Sequence, residues 1–543
     1  MAISLRKYQE LQQGRQRGQP QLTSGVFLPA AQGGINNLQG IVNTPPEDAL
    51  FLFNMYPKEF GTAVRNGTKE WCEPVPLGDG VKTIIPFNAA ECECEIDKLF
   101  AVTNDGIYDI STEGGAPAKV YDWPAKTTRA GWCSWHYYTT IAGSFLLVCD
   151  LENGYVVYDE TADTWAPGAV TGPDPGVTLD FVMVWKNRVW LVEQSSGRAW
   201  YLPVGQLTGD ATAFTFGNKF KYGGYLKGLY NWTVDGGEGV DDYLVAVSEA
   251  GDAVVYKGND PATAGDFRQQ GYWWIGQVPR NRRIASSFGG DLLLLSSYGL
   301  IQMSKLIAGL PVTDEQVSMS YKINPRINNT MAETINEFGW EVKVHPREQL
   351  IFVSTPPILG QRPMQFVYSG TTRSWAQFLD IDYMTGESFD GRFFIGTRDN
   401  RVFEYTGHVD NVLLADGGAS AEPIDWEMQS SFQNFGEPAK FKRVHFLRPI
   451  FVSNATPAYF IRAAYDFDLT GISAAPPVND SGAAIWDAAL WDVSSWAGPQ
   501  QAVQPPTGGV GMGRYVSVIL RGRTTADTVH LGTDLMMDVG GML

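Results

Sequence analysis

The 543-residue chain has little charge and few residues of the types that usually carry catalysis. Only 18% of its residues are charged and five are histidine. No H-E-x-x-H, G-x-S-x-G or P-loop pattern occurs. These absences argue against the common hydrolase and nucleotidase classes, and we expect no catalytic residues, cofactor or metal.

Long apolar stretches are also missing. No apolar run approaches the ~18 residues that a membrane span needs. The basic start at Arg6 and Lys7 is not followed by an apolar segment, so it does not resemble a signal peptide. We therefore expect no membrane span and synthesis in the cytoplasm.

Basic residues are scarce relative to acidic ones. The chain has 41 Lys and Arg against 59 Asp and Glu, a formal charge of −18. A surface that grips duplex DNA needs clustered cations, so this balance argues against general nucleic-acid binding. A role that depends on repelling DNA stays open.

Cysteine is rare, and its five copies are confined to the first 150 residues: Cys72, Cys92, Cys94, Cys133 and Cys149. This odd, clustered set fits reduced core thiols better than a disulfide framework. A zinc site built from Cys92, Cys94, Cys133 and His136 is the alternative, but its spacing does not match a zinc knuckle.

An alternating segment runs from Glu91 to Asp97. As a strand it would place Cys92, Cys94 and Ile96 on one face and four acids on the other, which are Glu91, Glu93, Glu95 and Asp97. The cysteines would then be buried. The acidic face is a candidate channel or surface face turned to nucleic acid or a cation, or simply a solvated, edge-protecting face.

Turn formers and aromatic residues are abundant. The chain contains 59 glycines and 31 prolines together with 17 Trp, 23 Tyr and 28 Phe. Such a composition favours many short strands joined by tight turns over long helices. We therefore predict an all-β fold.

Seven similar units recur between Leu99 and Gly407, each an apolar strand, a turn rich in Gly, Asn or Asp, and a second strand. They span residues 99–110, 145–159, 189–202, 243–258, 292–303, 350–370 and 393–407. A mean spacing of roughly 49 residues is typical of a four-stranded propeller blade. The units predict a β-propeller of six or seven blades, seven by repeat count, with a sandwich or barrel as the alternative.

Two local patterns add detail. Tyr158 and Tyr368 are each followed seven residues later by a tryptophan, Trp165 and Trp375, across a polar turn similar to that of kelch blades. One helix is predicted at 330–339, where Thr330 and Glu333 form a capping-box pattern.

The domain organisation follows from these patterns. Residues 1–32 lack an apolar period and predict an extended arm, 33–407 the propeller, and 408–543 a second β-rich platform domain with a loop insertion near 474–504. The arm is basic, because Arg6, Lys7, Arg15 and Arg17 outnumber Glu10. These four residues make it a candidate docking arm, and a passive chain end is the alternative.

Two other site hypotheses are weaker. The loop at 235–242 holds four acids, but it lacks the spacing of a calcium loop, so a bound cation there is the less favoured interpretation. A propeller sialidase would need an S-x-D-x-G-x-T-W box, which precedes neither Trp165 nor Trp375.

Three motifs at the start of the predicted propeller carry a family resemblance: Gly33-Gly-Ile-Asn-Asn37, Asn54-Met-Tyr-Pro-Lys-Glu-Phe-Gly61 and Val64-Arg-Asn-Gly67. Their order resembles the opening of tail-nozzle proteins of short-tailed bacteriophages, also called tail hub or packaged-DNA stabilisation proteins. Phe60 and Asn66 stand where that family more often has Gly and Pro. The order of the segments 255–265, 277–282 and 342–353 is similar as well.

The resemblance implies a structural virion protein of the viral tail. It implies a homo-hexamer below the head-to-tail adaptor ring, contacts with tail fibres or spikes, and a bore through which genomic DNA passes without specific binding. A receptor- or glycan-binding tail propeller is the alternative function.

Overall fold

The computed structural model describes residues 24–88, 97–235, 240–263, 265–358, 361–413, 419–455, 457–477, 501–503 and 505–540. Most regular structure in these residues is β-strand, so the fold is all-β as predicted. The chain divides into two compact units. Unit 1 comprises Met1–Val64 and Pro423–Leu543, and unit 2 comprises Arg65–Glu422.

Five short strands belong to the first part of unit 1. They are β1 (Ser24–Pro29), β2 (Gly34–Ile35), β3 (Asp48–Phe53), β4 (Met55–Lys58) and β5 (Gly61–Val64).

Unit 2 begins with β6 (Thr68–Glu70) and continues with consecutive antiparallel sheets. Blade 1 contains β7 (Thr83–Phe87), β8 (Lys98–Val102), β9 (Gly106–Asp109) and β10 (Ala118–Asp122). Blade 2 contains β11 (Cys133–Thr140), β12 (Gly143–Asp150), β13 (Gly154–Asp159) and β14 (Thr164–Pro167). The next segment includes β15 (Val170–Thr171), β16 (Leu179–Trp185), β17 (Arg188–Glu193), β18 (Arg198–Tyr201), β19 (Gly209–Asp210) and β20 (Thr212–Thr215). Blade 3 is β16, β17, β18 and β20, while β15 and β19 form a separate parallel pair.

The remaining blades follow the same order. Blade 4 contains β21 (Leu226–Asp235), β22 (Val240–Ser248), β23 (Asp252–Lys257) and β24 (Arg268–Trp274). Blade 5 contains β25 (Ala285–Phe288), β26 (Asp291–Ser296) and β27 (Gly299–Gln302). Blade 6 contains β28 (Glu341–His345), β29 (Leu350–Ser354), β30 (Met364–Ser369) and β31 (Ser374–Leu379). Blade 7 contains β32 (Thr385–Phe389), β33 (Arg392–Gly396) and β34 (Val402–Tyr405), and β35 (Val409–Leu413) follows.

The seven sheets close into a ring. The first strand of each blade contacts the neighbouring blade, and β32 of blade 7 contacts β7 of blade 1. The outer strand of blade 7 is β6, which pairs antiparallel with β34 and so joins the start of unit 2 to its last blade. Unit 2 is therefore a seven-bladed β-propeller, in agreement with the repeat count.

Apolar packing lies between the blades. One buried cluster joins blades 7 and 1 through Trp71 and Phe394, a second joins blades 1 and 2 through Phe100 and Tyr158, and a third joins blades 2 and 3. Alternate residues of each strand thus face opposite neighbours, because successive side chains of a strand point to opposite sheet faces.

The seven predicted repeats are the middle two strands of the seven blades, from β8–β9 to β33–β34. The Tyr–Trp pattern is a cross-strand pair, since Tyr158 lies opposite Trp165 and Tyr368 opposite Trp375. Ring centroids are 5.2 Å apart in both pairs. Asp163 and Arg373, five residues after each tyrosine, both have a left-handed backbone, which explains the shared turn.

Blade 5 is the irregular one. Residues 317–319 bond to β27 in place of a fourth strand, with Gln302 N donating to Val317 O at 3.0 Å. Two helices accompany it, α1 (Met303–Ile307) and α2 (Asn324–Thr334).

The predicted helix at 330–339 is misplaced. Helix α2 begins six residues earlier, and Pro325 occupies its first turn, where a missing N–H costs no hydrogen bond. Thr330 lies inside the helix and donates its hydroxyl to Arg326 O at 3.0 Å, so it is not the N-cap.

The described residues of the second part of unit 1 form five strands of eight or more residues and two short ones. They are β36 (Ala419–Ser430), β37 (Lys442–Ser453), β38 (Ala458–Tyr465), β39 (Gln501–Val503), β40 (Thr507–Gly508), β41 (Val516–Thr524) and β42 (Thr528–Val539). Most of the predicted insertion near 474–504 lies outside the described residues, and its end forms β39, which pairs with β37.

The units do not follow the predicted boundaries of 33–407 and 408–543. Strand β1 pairs with β42 and β3 pairs with β36, which places 33–64 in unit 1 rather than in the propeller. Residues 24–29 of the predicted arm are likewise a strand. These pairings join segments roughly 370 to 510 residues apart, and no local pattern predicts them.

Candidate functional site

The predicted site residues fall mostly outside the described part of the chain. Glu91, Glu93 and Glu95, with Cys92 and Cys94, lie there, as do Arg6, Lys7, Arg15 and Arg17 of the arm. Asp97 is described and is exposed just before β8. The acidic face and the docking arm therefore stay predictions.

Several buried charged side chains lie near the propeller axis, at the end where the first strands of the blades begin. Two consecutive arginines, Arg282 and Arg283, precede β25 and are called the arginine pair below. Asn281 positions them, because its Nδ2 donates to Trp340 O at 2.9 Å and its Oδ1 accepts from Arg282 N at 2.7 Å.

Arg282 joins blade 5 to blades 3 and 4. Its Nη2 lies 2.6 Å from the carboxylate of Asp180 at the start of blade 3, and both side chains are buried. Its Nη1 donates to the Lys227 carbonyl at the start of blade 4. Burial raises the pKa of Asp180 against the opposing effect of Arg282.

Arg283 turns the other way and reaches the remaining blades. Its Nη1 donates to Glu341 Oε1 and to Thr385 Oγ1, each at 2.9 Å, in blades 6 and 7. Its Nη2 donates to Lys82 O at 2.8 Å and to Thr83 Oγ1 at 2.5 Å in blade 1. Its Nε donates to Cys133 O of blade 2 at 3.3 Å.

The two guanidinium groups together contact all six of the other blades. All five N–H donors of Arg283 have acceptors, so this side chain has none left for a ligand. Glu341 is equally committed, since it also accepts from Gly386 N at 3.0 Å. Saturated and buried groups of this kind hold structure and are not free for catalysis.

Aromatic rings pack against Arg283 and the nearby Arg280. The Arg283 guanidinium lies 5.3 Å from the centroid of Trp132, Trp132 stacks on Phe338 at 5.5 Å, and Arg280 lies 5.0 Å from Phe338. Cation–π contacts of partly desolvated arginines add about 0.5–2 kcal/mol each.

Two buried lysines complete this end. Lys82 donates to Thr128 O at 2.7 Å and Ala130 O at 3.1 Å, and Lys227 donates to Arg280 O. Burial, with a smaller contribution from Arg282, lowers the pKa of Lys227 to about 7. Burial also lowers the pKa of Lys82.

A cavity of about 620 Å³ extends along the axis from the arginine pair. First strands of blades 2 to 6 line it, and its opposite end is bordered by Thr233 and by Gly290 and Asp291 of the β25–β26 turn. Lys343 lines the cavity and is paired with Glu387, whose pKa burial raises.

The structure tests part of the predictions about the cysteines and about the acidic loop at 235–242. Cys72, Cys133 and Cys149 are buried free thiols, as expected for core residues. Cys133 Sγ lies 3.6 Å from Asp150 Oδ1, and His136 Nδ1 lies 2.8 Å from Tyr137 O. Of the acidic loop at 235–242, residues 236–239 lie outside the described part, and Asp242 is paired with Lys186 at 3.0 Å. The described residues contain no metal-binding group of three or more His, Cys, Asp or Glu side chains.

Sequence reasoning missed the arginine pair as a site. The signal was present, because Arg280, Arg282 and Arg283 fall within four residues of an acidic chain, just before an apolar strand. The partners of Arg283 lie as far as 201 residues away in the chain, so their identity needed the closed ring.

No family model matches this chain, and no curated protein matches it. Among solved structures, the extracellular domain of the hybrid two-component system BT3049 from B. thetaiotaomicron is 10% identical, with a TM-score of 0.39 over 77% of this chain. This chain spans 55% of that structure's length. YCF48 bound to D1 peptide is 10% identical, with a TM-score of 0.35 over 67% of this chain and 99% of its own. Among the described residues, no helix is long and apolar enough to cross a membrane.

Proposed function

We propose that this protein is a structural component of a virion, the tail nozzle of a short-tailed bacteriophage. Six copies would form a ring below the head-to-tail adaptor, retain packaged DNA and let it leave on ejection. The protein would act in the tail without catalysis, after assembly in the host cytoplasm.

The observation that carries the proposal is the ordered set of motifs that resembles this family, on a chain that combines a propeller with a second β-rich unit. Residues of these motifs make contacts that stabilise the fold, which is consistent with a fold shared with that family. A Cβ on Gly33 would lie 1.9 Å from Asp48 Oδ1, and Asn36 Nδ2 donates to Asp48 Oδ2 at 2.7 Å. Arg65 makes a bidentate pair with Asp410 at 2.9 and 2.7 Å.

The propeller axis constrains where DNA could pass. Hydrogen bonds from the arginine pair to the other blades cross one end of the propeller axis and would block DNA there. The route for DNA would therefore be the bore enclosed by six copies and not the centre of one propeller. An acidic protein suits such a bore, because walls that do not attract phosphate allow DNA to slide. A closed ring also requires a heterologous interface that repeats around the axis.

Copy number and position in the particle test the proposal. Tails isolated from particles that carry this protein should contain six 59.8 kDa chains in one axial ring, seen by mass measurement and by electron microscopy with a specific antibody. Peripheral labelling would contradict the proposal and favour the alternative, a receptor- or glycan-binding propeller.

A further inference from the structure

Exposed large hydrophobic side chains are concentrated in unit 1. Ten of the sixteen among the described residues lie there, although unit 1 contains fewer than a third of the described residues. Soluble monomers expose such side chains mostly singly, whereas clusters of them mark sites of protein contact. The distribution therefore places a candidate contact surface in unit 1.

The longer strands of unit 1 form two sheets packed face to face. Phe451 of β37 is buried, and its ring lies 5.9 Å from Trp426 of β36 and 5.3 Å from Tyr459 of β38. Strand β37 pairs with β42, which pairs with β1, whereas β36 and β38 both pair with β41. Successive side chains of a strand point to opposite faces, so each sheet also has an outer face, and the two outer faces lie on opposite sides.

The outer face of the first sheet carries three exposed apolar side chains, called the first patch below. Phe446 lies directly opposite Met536, and Phe27 lies opposite Asp534, two residues before Met536. Phe27, Phe446 and Met536 are 53%, 46% and 47% exposed. Residues directly opposite each other, and residues two apart in one strand, lie on the same face. The first patch therefore extends across three neighbouring strands.

The outer face of the other sheet carries Phe460 of β38 and, in the loop that follows β38, Leu469. They are 42% and 57% exposed and are called the second patch below. Arg462, two residues after Phe460, pairs with Asp468 and donates to Thr470 O. These contacts hold the loop on either side of Leu469 against the face that Phe460 occupies.

Both patches are bordered by paired charges. Arg448 pairs with Asp534 at 2.7 Å beside the first patch, and Arg462 pairs with Asp468 at 2.8 Å beside the second. The whole chain has a formal charge of −18, so two copies repel each other over much of their surfaces. Contact between copies is least opposed where acidic side chains already have basic partners, as they do here.

We propose that the first patch of one copy binds the second patch of the next copy. A heterologous contact uses two different patches of the same chain, one for each neighbour, and forms a ring if the rotation closes. Apolar patches on opposite faces of one unit fit that requirement, whereas a covering segment or a single other partner needs only one of them. Aromatic residues and methionine are also enriched at protein interfaces. The contact rests on the proposed function, since the ring it would close is that of the nozzle.

Sedimentation velocity of the full chain, from micromolar to submillimolar concentration, tests the contact. We expect the native chain to self-associate. Phe446→Asp and Phe460→Asp should each raise the dissociation constant about tenfold or more, because each buries a charge without a partner in the contact. Ile141→Asp is the matched control, since it adds the same charge at an exposed apolar side chain of unit 2.

A mixture of the two patch variants gives a sharper result. Phe446→Asp keeps its second patch and Phe460→Asp keeps its first patch, so an equal mixture should form dimers and no larger species. Neither variant alone should associate as the native chain does. Thermal melting of each variant separates loss of contact from loss of fold.

Four results would overturn the proposal. One is a native chain that stays monomeric throughout, and another is association that both patch variants leave unchanged. The third is loss of association in only one of the two variants, which would exclude a contact between these two patches. The fourth is hydroxyl-radical oxidation of Met536 that is much slower in the dilute monomer than that of the exposed Met512, because residues 1–23 or 478–500 would then cover the first patch.

The nozzle role and the patch contact can fail separately. Six axial copies in tails assembled with Phe446→Asp would overturn the patch contact and leave the nozzle role in place. Self-association through both patches, in a protein that labels the periphery of particles, would overturn the nozzle role and leave the contact.

Discussion

The first strands of the propeller carry buried polar groups both at the arginine pair and along the axial cavity, but these groups are used in opposite ways. At the end of the arginine pair, Arg283 donates all five of its hydrogen bonds to other blades. Among the residues that line the cavity, Asn231 Oδ1 and Trp232 Nε1 are buried and have no partner in the described part of the chain. The end at the arginine pair, called the closed end below, stabilises the ring, whereas these two atoms contribute no hydrogen bond to it.

The largest expected effect is at the closed end. Arg283→Gln should lower the free energy of unfolding by about 3–5 kcal/mol, because Glu341 would keep its buried charge without the guanidinium. Urea unfolding measures this loss. The control is Arg448→Gln, whose exposed pair with Asp534 should contribute less than about 1 kcal/mol. Equal losses for both variants would mean that the arginine pair does not hold the ring.

A double-mutant cycle sharpens the role of Arg282. Arg282→Gln and Asp180→Asn should each destabilise the chain, and the double variant should lose less than the sum, with a coupling of about 0.5–3 kcal/mol. The reason is that each single variant leaves one buried charge unpaired. Additive losses would show that these side chains act separately.

Lys227 should give the closed end a pH dependence. Its pKa is lowered to about 7 in the folded chain and is 10.5 as a reference, so the unfolded state binds more protons between these values. Stability should therefore rise with pH across this window. We expect a larger rise in melting temperature from pH 7 to pH 9 in the native protein than in Lys227→Met. Parallel profiles for the two proteins would place the titration elsewhere.

The smallest effect on stability should come from the cavity. Asn231→Leu removes a buried acceptor that has no partner among the described residues, so it should not lower the free energy of unfolding. Asn281→Leu at the closed end is the matched comparison and should cost about 1–3 kcal/mol, because it breaks bonds to Trp340 O and Arg282 N. If Asn231→Leu were the costlier variant, the assigned difference between the closed end and the cavity would be wrong.

Local patterns predicted the blades well. Six of the seven hairpins combine apolar strands with a turn of two to five residues, and these signals act over short distances. The helix was misplaced because Thr330 and Glu333 imitate a capping box inside a helix that Pro325 begins.

The sequence alone thus determined the all-β class, the seven repeats and the Tyr–Trp turns, because each depends on residues close together in the chain. Only the tertiary structure decided that β6 completes blade 7, that β1 joins β42, and that Arg283 bonds to four other blades. These contacts join residues far apart in sequence, and their geometry exists only after the ring has closed and brought the first strands of all blades to one axis.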